Sequence, residues 1–259
     1  SSLPAEGFPS IEQSKTAKRF FIEKEDFKRL IEQSRFSMAQ QDARYYLNGM
    51  MFELQKDKIK SVSTDGHRLS LCEMAVEIPD ASLDQIIIPR KGIIELSRLL
   101  DSTNEKIQVN VATNHIHIVM PGIVFTSKLI DGKFPDYQRV VPENASLPVI
   151  ADRENLKQSL IRTSILSNEK YRGVRLLFSE NSIRIHSNNP EQEEAEDILE
   201  AEYCGEEIEI GFNVAYIIDA LGAISGDTVK LSFSGPSSSC LIQEIKGGDS
   251  KYVIMPMRI

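Results

Sequence analysis

Residues 64–68 read Thr-Asp-Gly-His-Arg and hold the side chains best suited to chemistry. Asp65 places a carboxylate two positions before the imidazole of His67. Such a pair can act as acid and base or contribute to a metal site. No further carboxylate or thiol cluster lies at a ligand spacing beside His67, so a surface histidine is the simpler interpretation. Gly66 after Asp65 also fits a turn that needs no ligand.

A second candidate for a metal site is the pair His115 and His117, which share one face of a predicted strand but lack a third ligand in sequence. We therefore expect neither a metal nor a cofactor. An enzyme built around residues 64–68 stays as the weaker alternative, because the chain lacks a phosphate-binding glycine loop, an HExxH helix and a GxSxG elbow. The cysteines are too widely spaced for a disulfide framework or zinc site and indicate a reducing compartment: Cys72, Cys204 and Cys240.

An internal repeat determines the elements that must position these residues. At an offset of 124 residues, GMMFELQKDKIKSVSTD (49–65) aligns without a gap with GVRLLFSENSIRIHSNN (173–189). Both segments predict two strands around a polar turn, and a further helix candidate and strand pair follow each. The later helices are predicted at 91–100 and 214–224. Helical stripes precede the two segments: Phe27, Leu30, Ile31 and Ser34 in one, Leu156, Leu160, Ile161 and Ser164 in the other.

Each copy of roughly 120 residues thus carries two helices packed on antiparallel strands, which predicts an α+β class built as a tandem repeat. We predict a leader or linker at 1–19, a middle domain at 20–143 and a C-terminal domain at 144–259. The joint falls in VPENASLPV, where two prolines and turn formers occur together.

The charge of the chain is uneven. Its 30 Lys and Arg against 38 Asp and Glu give a net charge of -8, which by itself disfavours a nucleic-acid partner. Ten acidic residues and no basic one fall between Glu191 and Glu209, the composition of a solvated face. The remainder holds 30 basic and 28 acidic residues, a net of +2, so a local basic surface stays open. With no signal peptide or apolar stretch of about 18 residues, we expect a soluble cytoplasmic protein without a membrane partner.

Eight segments resemble, in the same order, the bacterial sliding clamps, the β subunits of DNA polymerase III. The resemblance runs from residue 36 to residue 259 and includes the apolar C-terminus. The segments are FSMAQQDARYYLNGM, STDGHRL, IIPRKGIIEL, FTSKLIDGKFPDYQRVVP, ILSNEKYRGVRL, NNPEQEEAEDIL, EIGFNVAYIIDAL and YVIMPMRI.

This resemblance implies the DNA-clamp fold and a non-catalytic processivity factor. In the family, three repeats per chain pair head to tail as a homodimer, giving a six-domain ring around duplex DNA. Here we find two repeats, and the opening LPAEGFP resembles the end of the family's first domain. We therefore expect a fragment holding the second and third domains, from truncation or proteolysis. A stand-alone peptide-binding module that never encircles DNA is the remaining alternative.

The resemblance also implies a groove where the replicative polymerase, the clamp loader and repair proteins dock through short motifs rich in Gln, Leu and Phe. Apolar side chains would form its subsites, and Arg and His would anchor polar groups of the ligand. The matching positions are Arg44, Leu47, Thr64, Gly66, His67, Arg68, Leu69, Pro135, Arg139, Val140, Asn213, Tyr216, Ser239, Val253, Ile254, Met255, Pro256, Met257, Arg258 and Ile259.

Contacts with DNA would be sequence-independent and made mainly by basic residues on the first three predicted helices. The DNA candidates are Lys24, Lys28, Gln41, Tyr45, Tyr46 and Arg90. The two tyrosines can either stack on exposed bases or pack within the protein. Ile165 and Leu166 match the family's subunit interface, and they are either exposed there or buried at the end of a helix.

Overall fold

A computed structural model describes residues 18–79, 81, 83–100, 105–142, 147–245 and 248–258. The two sequence repeats fold as two α+β units with the same order of elements, which confirms the predicted fold class. The first unit contains β1 (Lys18–Glu23), α1 (Lys24–Glu32), β2 (Gly49–Leu54), β3 (Lys58–Thr64), β4 (Arg68–Ala75), β5 (Asp84–Pro89), α2 (Arg90–Leu99), β6 (Lys106–Val111), β7 (His115–Met120) and β8 (Ile123–Lys128). The second contains β9 (Leu147–Asp152), α3 (Arg153–Ser164), β10 (Gly173–Ser179), β11 (Ser182–Asn188), β12 (Glu194–Glu200), β13 (Ile208–Asn213), α4 (Val214–Ala223), β14 (Thr228–Phe233), β15 (Cys240–Glu244) and β16 (Ser250–Ile254).

Three antiparallel sheets organise the described strands. Strands β1, β6, β7 and β8 form one four-stranded sheet, and β12, β11, β10 and β13 form another. The third sheet has eight strands in the order β5-β2-β3-β4-β16-β15-β14-β9, so that each unit supplies half of it. Each unit also has its own large apolar cluster, formed by its strands and its two helices.

The two units are joined by the pairing of β4 with β16, which we call the seam. Arg68 lies opposite Ile254, Leu69 opposite Val253, and Leu71 opposite Lys251. Main-chain hydrogen bonds therefore run from one unit into the other, and the loop before β4 is fixed beside the end of β16.

Side chains on the seam strands alternate between two faces of the eight-stranded sheet. On one face, Ser70 shares a hydrogen bond with Ser37 at 2.5 Å and the Tyr252 hydroxyl bonds to Gln33, so that helix α1 and the turn after it pack there. On the opposite face, Leu69 and Val253 form a separate apolar cluster that includes Phe134, ahead of a 3-10 helix at Tyr137–Val140. The helices and this 3-10 helix thus lie on opposite sides of one sheet.

Two details differ from the sequence interpretation. Lys18 and Arg19, which we assigned to the leader, belong to β1 and pair with Val111 and Asn110 of β6. For α3, the prediction of the buried residues was partly wrong, because Ile161 is 36% exposed and Ser164 is half-buried. The buried positions are Leu156, Ser159, Leu160 and Thr163.

The buried face of α3 includes the small polar residues Ser159 and Thr163, so the spacing of apolar residues alone does not identify it. Both hydroxyls are hydrogen-bonded: Thr163 Oγ1 donates to the Ser159 carbonyl one turn earlier at 2.9 Å, and Ser159 Oγ donates to Asp197 of β12 at 2.8 Å. The helices α2 and α4 lie within one residue of their predicted bounds. Among the described residues, no helix is long and apolar enough to cross a membrane.

Helix α3 begins with a capping hydrogen bond that α1 lacks. Asp152 Oδ1 accepts from the Asn155 N–H at 2.8 Å, whereas Glu23 before α1 makes no such side-chain bond. We expect Asp152→Ala to lower the free energy of unfolding by about 1 kcal/mol, and Asp152→Asn to lose less than half of that. Urea denaturation measures both, with Glu23→Ala as the matched control. Equal losses in Asp152→Ala and Glu23→Ala would contradict this role of the cap.

Candidate docking site

A cavity of about 150 Å³ opens on the sheet face that carries the 3-10 helix, at the seam between the units. We call it the apolar cavity. Its volume is below the roughly 300 Å³ of a site for a drug-sized ligand, so it suits one or two side chains of a larger partner. Its lining residues are Arg44, Leu47, Thr64, Gly66, Arg68, Leu69, Pro135, Tyr137, Val140, Val253 and Met255.

The seam positions the floor of the apolar cavity. Leu69 and Val253 are paired across the seam, and their side chains are 3% and 1% exposed. Met255 follows β16 and is held by its N–H, which donates to the His67 carbonyl at 2.9 Å. Since Leu69 belongs to the first unit and Val253 to the second, the cavity exists only when both units are joined.

The loop of residues 64–68 is a turn that forms the rim of the apolar cavity. Asp65 Oδ1 accepts from the backbone N–H groups of His67 and Arg68 at 2.9 and 3.0 Å. Gly66 has a φ of +90°, which L side chains rarely adopt, and a Cβ there would lie 3.0 Å from the Arg44 guanidinium. Asp65 therefore serves the turn, and the exposed His67 is not assembled with it into an acid–base pair.

Arg68 connects the two units at the edge of the apolar cavity. Its guanidinium donates to Asp219 of α4 at 2.6 Å, to the Phe36 carbonyl at 2.7 Å and to Asp65 at 3.1 Å. It also lies 4.4 Å from the centre of the Tyr216 ring. These contacts already balance its charge, so Arg68 stabilises the junction rather than presenting a free cation to a ligand.

Arg44 is the more accessible cation at this site. Its guanidinium donates to Asp42 at 3.0 and 2.8 Å, and its side chain is 50% exposed. The hydrogen bond from Arg44 lowers the pKa of Asp42 to about 2, and Asp42 in turn raises the pKa of Arg44. Both groups stay ionised from mildly acidic to alkaline pH, and the exposed half of Arg44 can meet a polar group of a ligand.

Tyr137 is a lining residue that the sequence interpretation missed. It lies between Pro135 and Val140, two residues that were selected, so its position in the segment was the available signal. The side chain is 4% exposed, and its hydroxyl donates to the buried carboxylate of Glu53 at 3.1 Å. Burial raises the pKa of Tyr137 to about 12, with the neighbouring Glu53 carboxylate acting in the same direction.

Four other predicted groove residues do not line the apolar cavity. Asn213 caps α4 by accepting from the Ala215 N–H at 3.0 Å, and Tyr216 packs under Arg68. Arg139 is exposed and paired with Asp136 at 2.8 Å. The half-buried Ser239 directly precedes β15.

The C-terminal residues divide between the apolar cavity and the core. Ile254 is 1% exposed and belongs to the apolar core of the second unit, so its prediction as a ligand contact was wrong. Strand alternation explains this, because Val253 and Ile254 must point to opposite faces. The N–H of Met257 donates to the Gly211 carbonyl at 2.8 Å. Pro256 is half-buried and Arg258 exposed, and neither lines the cavity, while Ile259 lies outside the described residues.

The predicted DNA residues differ in accessibility. Lys24 is only 7% exposed, so burial at the start of α1 leaves little of its side chain to meet a phosphate. Lys28 is partly exposed and lies 3.9 Å from Glu32, and Arg90 donates to the Met38 carbonyl at 3.0 Å. Gln41 is exposed with a φ of +57°.

The two tyrosines of the adjoining loop have different environments. Tyr45 is 56% exposed, whereas Tyr46 is half-buried and packs against the apolar cluster around Leu69. Their rings meet edge to face at 5.8 Å. Tyr45 alone therefore presents a ring to solvent. At the end of α3, Ile165 is 76% exposed while Leu166 is half-buried.

The histidine pair on β7 has no ligand set around it. His117 Nδ1 lies 2.9 Å from Thr126 Oγ1, and burial lowers the pKa of His117. Its ring stacks on His115 at 6.3 Å. Nowhere in the described ranges do three or more His, Cys, Asp or Glu come close enough to hold a metal ion.

Two tandem α+β units joined edge to edge, with an apolar cavity at their junction, define a protein of the clamp-fold class. The model of the DNA polymerase III β subunit central domain matches residues 21–136, and that of its C-terminal domain matches residues 138–258. The β sliding clamp of Pseudomonas aeruginosa is 47% identical over 259 residues, covering all of this chain and 71% of that protein. The chain belongs to the β sliding-clamp family of DNA polymerase III.

Solved structures agree with this assignment. A crystal structure of the P. aeruginosa β subunit superposes with a TM-score of 0.97 over the whole chain and 71% of that structure, at 47% identity. A C. crescentus β sliding clamp, 34% identical with a TM-score of 0.94 over 99% of this chain and 69% of its own, has polyethylene glycol bound at a region described as tethering the β-motif.

The buried phenol of Tyr137 predicts a stability change at alkaline pH. Because its pKa is raised to about 12 in the folded protein, from about 10 when unfolded, its contribution is present below pH 10 and is lost as the pH rises through 12. We expect the unfolding free energy of the protein, minus that of Tyr137→Phe, to fall by about 2 kcal/mol between pH 9 and pH 12. Urea denaturation measures this difference, and the exposed Tyr45→Phe serves as the control. A difference that does not change with pH would show that the phenol is not protected.

Proposed function

We propose that the apolar cavity binds short peptide motifs rich in Gln, Leu and Phe, carried by the replicative polymerase, the clamp loader and repair proteins. The observation that supports this most is the composition of the cavity, in which Leu69, Val253 and Met255 form an apolar floor beside the partly exposed Arg44. Buried apolar anchors with few polar contacts are the usual basis of peptide recognition.

Several clients can share such a cavity because part of its wall can adapt. Met255 is 36% exposed and unbranched, so it can repack around different apolar side chains. The remaining floor is rigid, because Leu69 and Val253 are held in the sheet. We propose that the predicted residues outside the apolar cavity, among them His67, Asn213 and Tyr216, contact the polar part of the same peptide.

We also propose that the protein acts as a processivity factor within a closed ring around duplex DNA. In the seam, β4 of one unit pairs with β16 of the next. The equivalent strands β12 and β8 are edge strands of their sheets among the described residues, and they expose Ile198 and Val124. Further units of this fold can pair with both edges, as in a homodimer of the full-length protein.

Such a ring needs no reaction chemistry and no specific base contacts. Helix α1 packs on the sheet face opposite the apolar cavity, and Arg35 next to it is exposed. We propose that basic side chains such as Lys28 and Arg90, together with the loop of Gln41 and Tyr45, meet the DNA backbone and exposed bases. The enzyme alternative loses support because the oxygens of Asp65 are committed to the turn and to Arg68.

The docking proposal predicts that Met255→Ala weakens binding of a fluorescent Gln-Leu-Ser-Leu-Phe peptide. Loss of the Met255 side chain removes apolar contact worth about 1 to 2 kcal/mol, so the dissociation constant should rise roughly 5- to 30-fold in a polarisation titration. Ile245→Ala, which truncates a comparably exposed apolar residue away from the cavity, is the matched control. Equal binding by both variants, or no binding by the folded protein, would reject the proposed site.

The ring proposal predicts topological retention on DNA by the full-length protein. It should stay on a nicked circular plasmid at moderate salt and be lost when the plasmid is linearised, whereas the two units described here should show only weak salt-sensitive binding. Ile198→Asp, a charge on the exposed edge β12, should reduce retention, and Ile245→Asp should not. Retention by the two units alone would support a different mode of DNA binding. The absence of any topological dependence in the full-length protein would favour the stand-alone peptide-binding module.

A further inference from the structure

A second cavity, of about 470 Å³, lies on the same sheet face as the apolar cavity. We call it the lysine cavity, because Lys60, Lys230 and Lys251 line it and none of its described lining residues is acidic. Tyr137 lines both cavities, so that the 3-10 helix separates them. A local concentration of positive charge is unexpected in a chain whose net charge is -8.

The sheet fixes the spacing of two of these lysines. Gln243 is the cross-strand partner of Lys230, and by continuation of the β15–β16 register it also lies beside Lys251. All three side chains therefore point to one face, with the two ammonium groups on strands two apart. At about 4.8 Å per strand, their Cα atoms are roughly 10 Å apart, a distance that two carboxylates of an extended peptide can match.

The lysines differ in their existing partners. Lys60 is 3.7 Å from both Glu53 and Glu73, so much of its charge is balanced within the protein. Lys230 and Lys251 make no ion pair or hydrogen bond through their side chains with the described residues. Two unpaired cations beside an amide and a cavity indicate a site for an anionic group from outside the chain.

The lysine cavity is continuous with the apolar cavity along the seam strands. Lys251, Val253 and Met255 alternate on one face, and the first lines the lysine cavity while the other two line the apolar cavity. On β4, Leu71 lines the lysine cavity and Leu69 lines the apolar cavity. At about 3.3 Å per residue, four extended residues span the roughly 13 Å from Lys251 to Met255.

We propose that the lysine cavity binds an acidic stretch that directly flanks the docking motif of a client peptide. The inference rests on the proposed peptide-binding function and adds a charge preference to it. A peptide whose apolar side chains fill the apolar cavity extends past Tyr137, and its carboxylates pair with Lys230 and Lys251. Clients with acidic flanks are thereby favoured over clients that have the same motif and neutral flanks.

The test compares fluorescent peptides that differ only in their flanks. Gln-Leu-Ser-Leu-Phe is extended at either end by Asp-Glu-Asp-Glu or by Asn-Gln-Asn-Gln, and each is titrated at low and at high salt. We expect the acidic extension at one end to tighten binding roughly three- to tenfold over its neutral counterpart at low salt, since each partly exposed ion pair is a modest term. High salt should reduce the gain.

The Lys230→Gln/Lys251→Gln double variant should abolish the gain while binding the unextended peptide as before. The control variant Lys56→Gln/Lys106→Gln removes the same charge from positions that line neither cavity. It should still bind the acidic extension more tightly than the neutral one. Equal binding of acidic and neutral extensions at both ends, while the unextended peptide binds, would overturn this inference alone. If the unextended peptide does not bind, the proposed function fails with it. Loss of DNA affinity in the Lys230→Gln/Lys251→Gln variant, without any peptide effect, would assign the lysines to nucleic acid instead.

Discussion

The seam between β4 and β16 is the constraint on which the rest of the structure depends. It joins two sheets of four strands into one of eight, with Leu69 facing Val253 across the unit boundary. Because side-chain orientation alternates, a slip of one residue would bury Val253 with the helices and turn Ile254 outward. The register of the seam therefore determines at once which residues enter the second core, which line the apolar cavity, and where Lys251 lies beside it.

Much of the fold follows from local patterns in the sequence. The gapless repeat at 49–65 and 173–189 predicted the β2–β3 and β10–β11 hairpins, because strand periodicity and turn composition are short-range signals. Ten of the residues around the apolar cavity were identified through the family resemblance. The resemblance located them without revealing how they are held, since the pairing of β4 with β16 connects segments about 180 residues apart.

What could not be predicted depends on tertiary contacts. Lys24 has the sequence context of an exposed helix start, yet the fold buries it. Arg68 was predicted from sequence to anchor a ligand, but its guanidinium donates to Asp219 and to the Phe36 carbonyl, both from distant segments of the chain. Tyr137 acquires its role only through the buried Glu53, which lies 84 positions away in the chain. In each case the residue type was informative, and the partner that fixes its role was not visible in sequence.

The apolar cavity and helix α1 lie on opposite faces of the eight-stranded sheet. Buried serine hydroxyls connect α1 and the turn after it to one face: Ser61 donates to the Leu30 carbonyl of α1, and Ser37 of the turn shares a hydrogen bond with Ser70. Because serine side chains are short, the helix can pack close to the sheet. The opposite face holds Leu69, Val253 and the 3-10 helix of Tyr137. Arg68 contacts both sides of the sheet, since it lines the apolar cavity and its guanidinium donates to Asp219 of α4 at 2.6 Å.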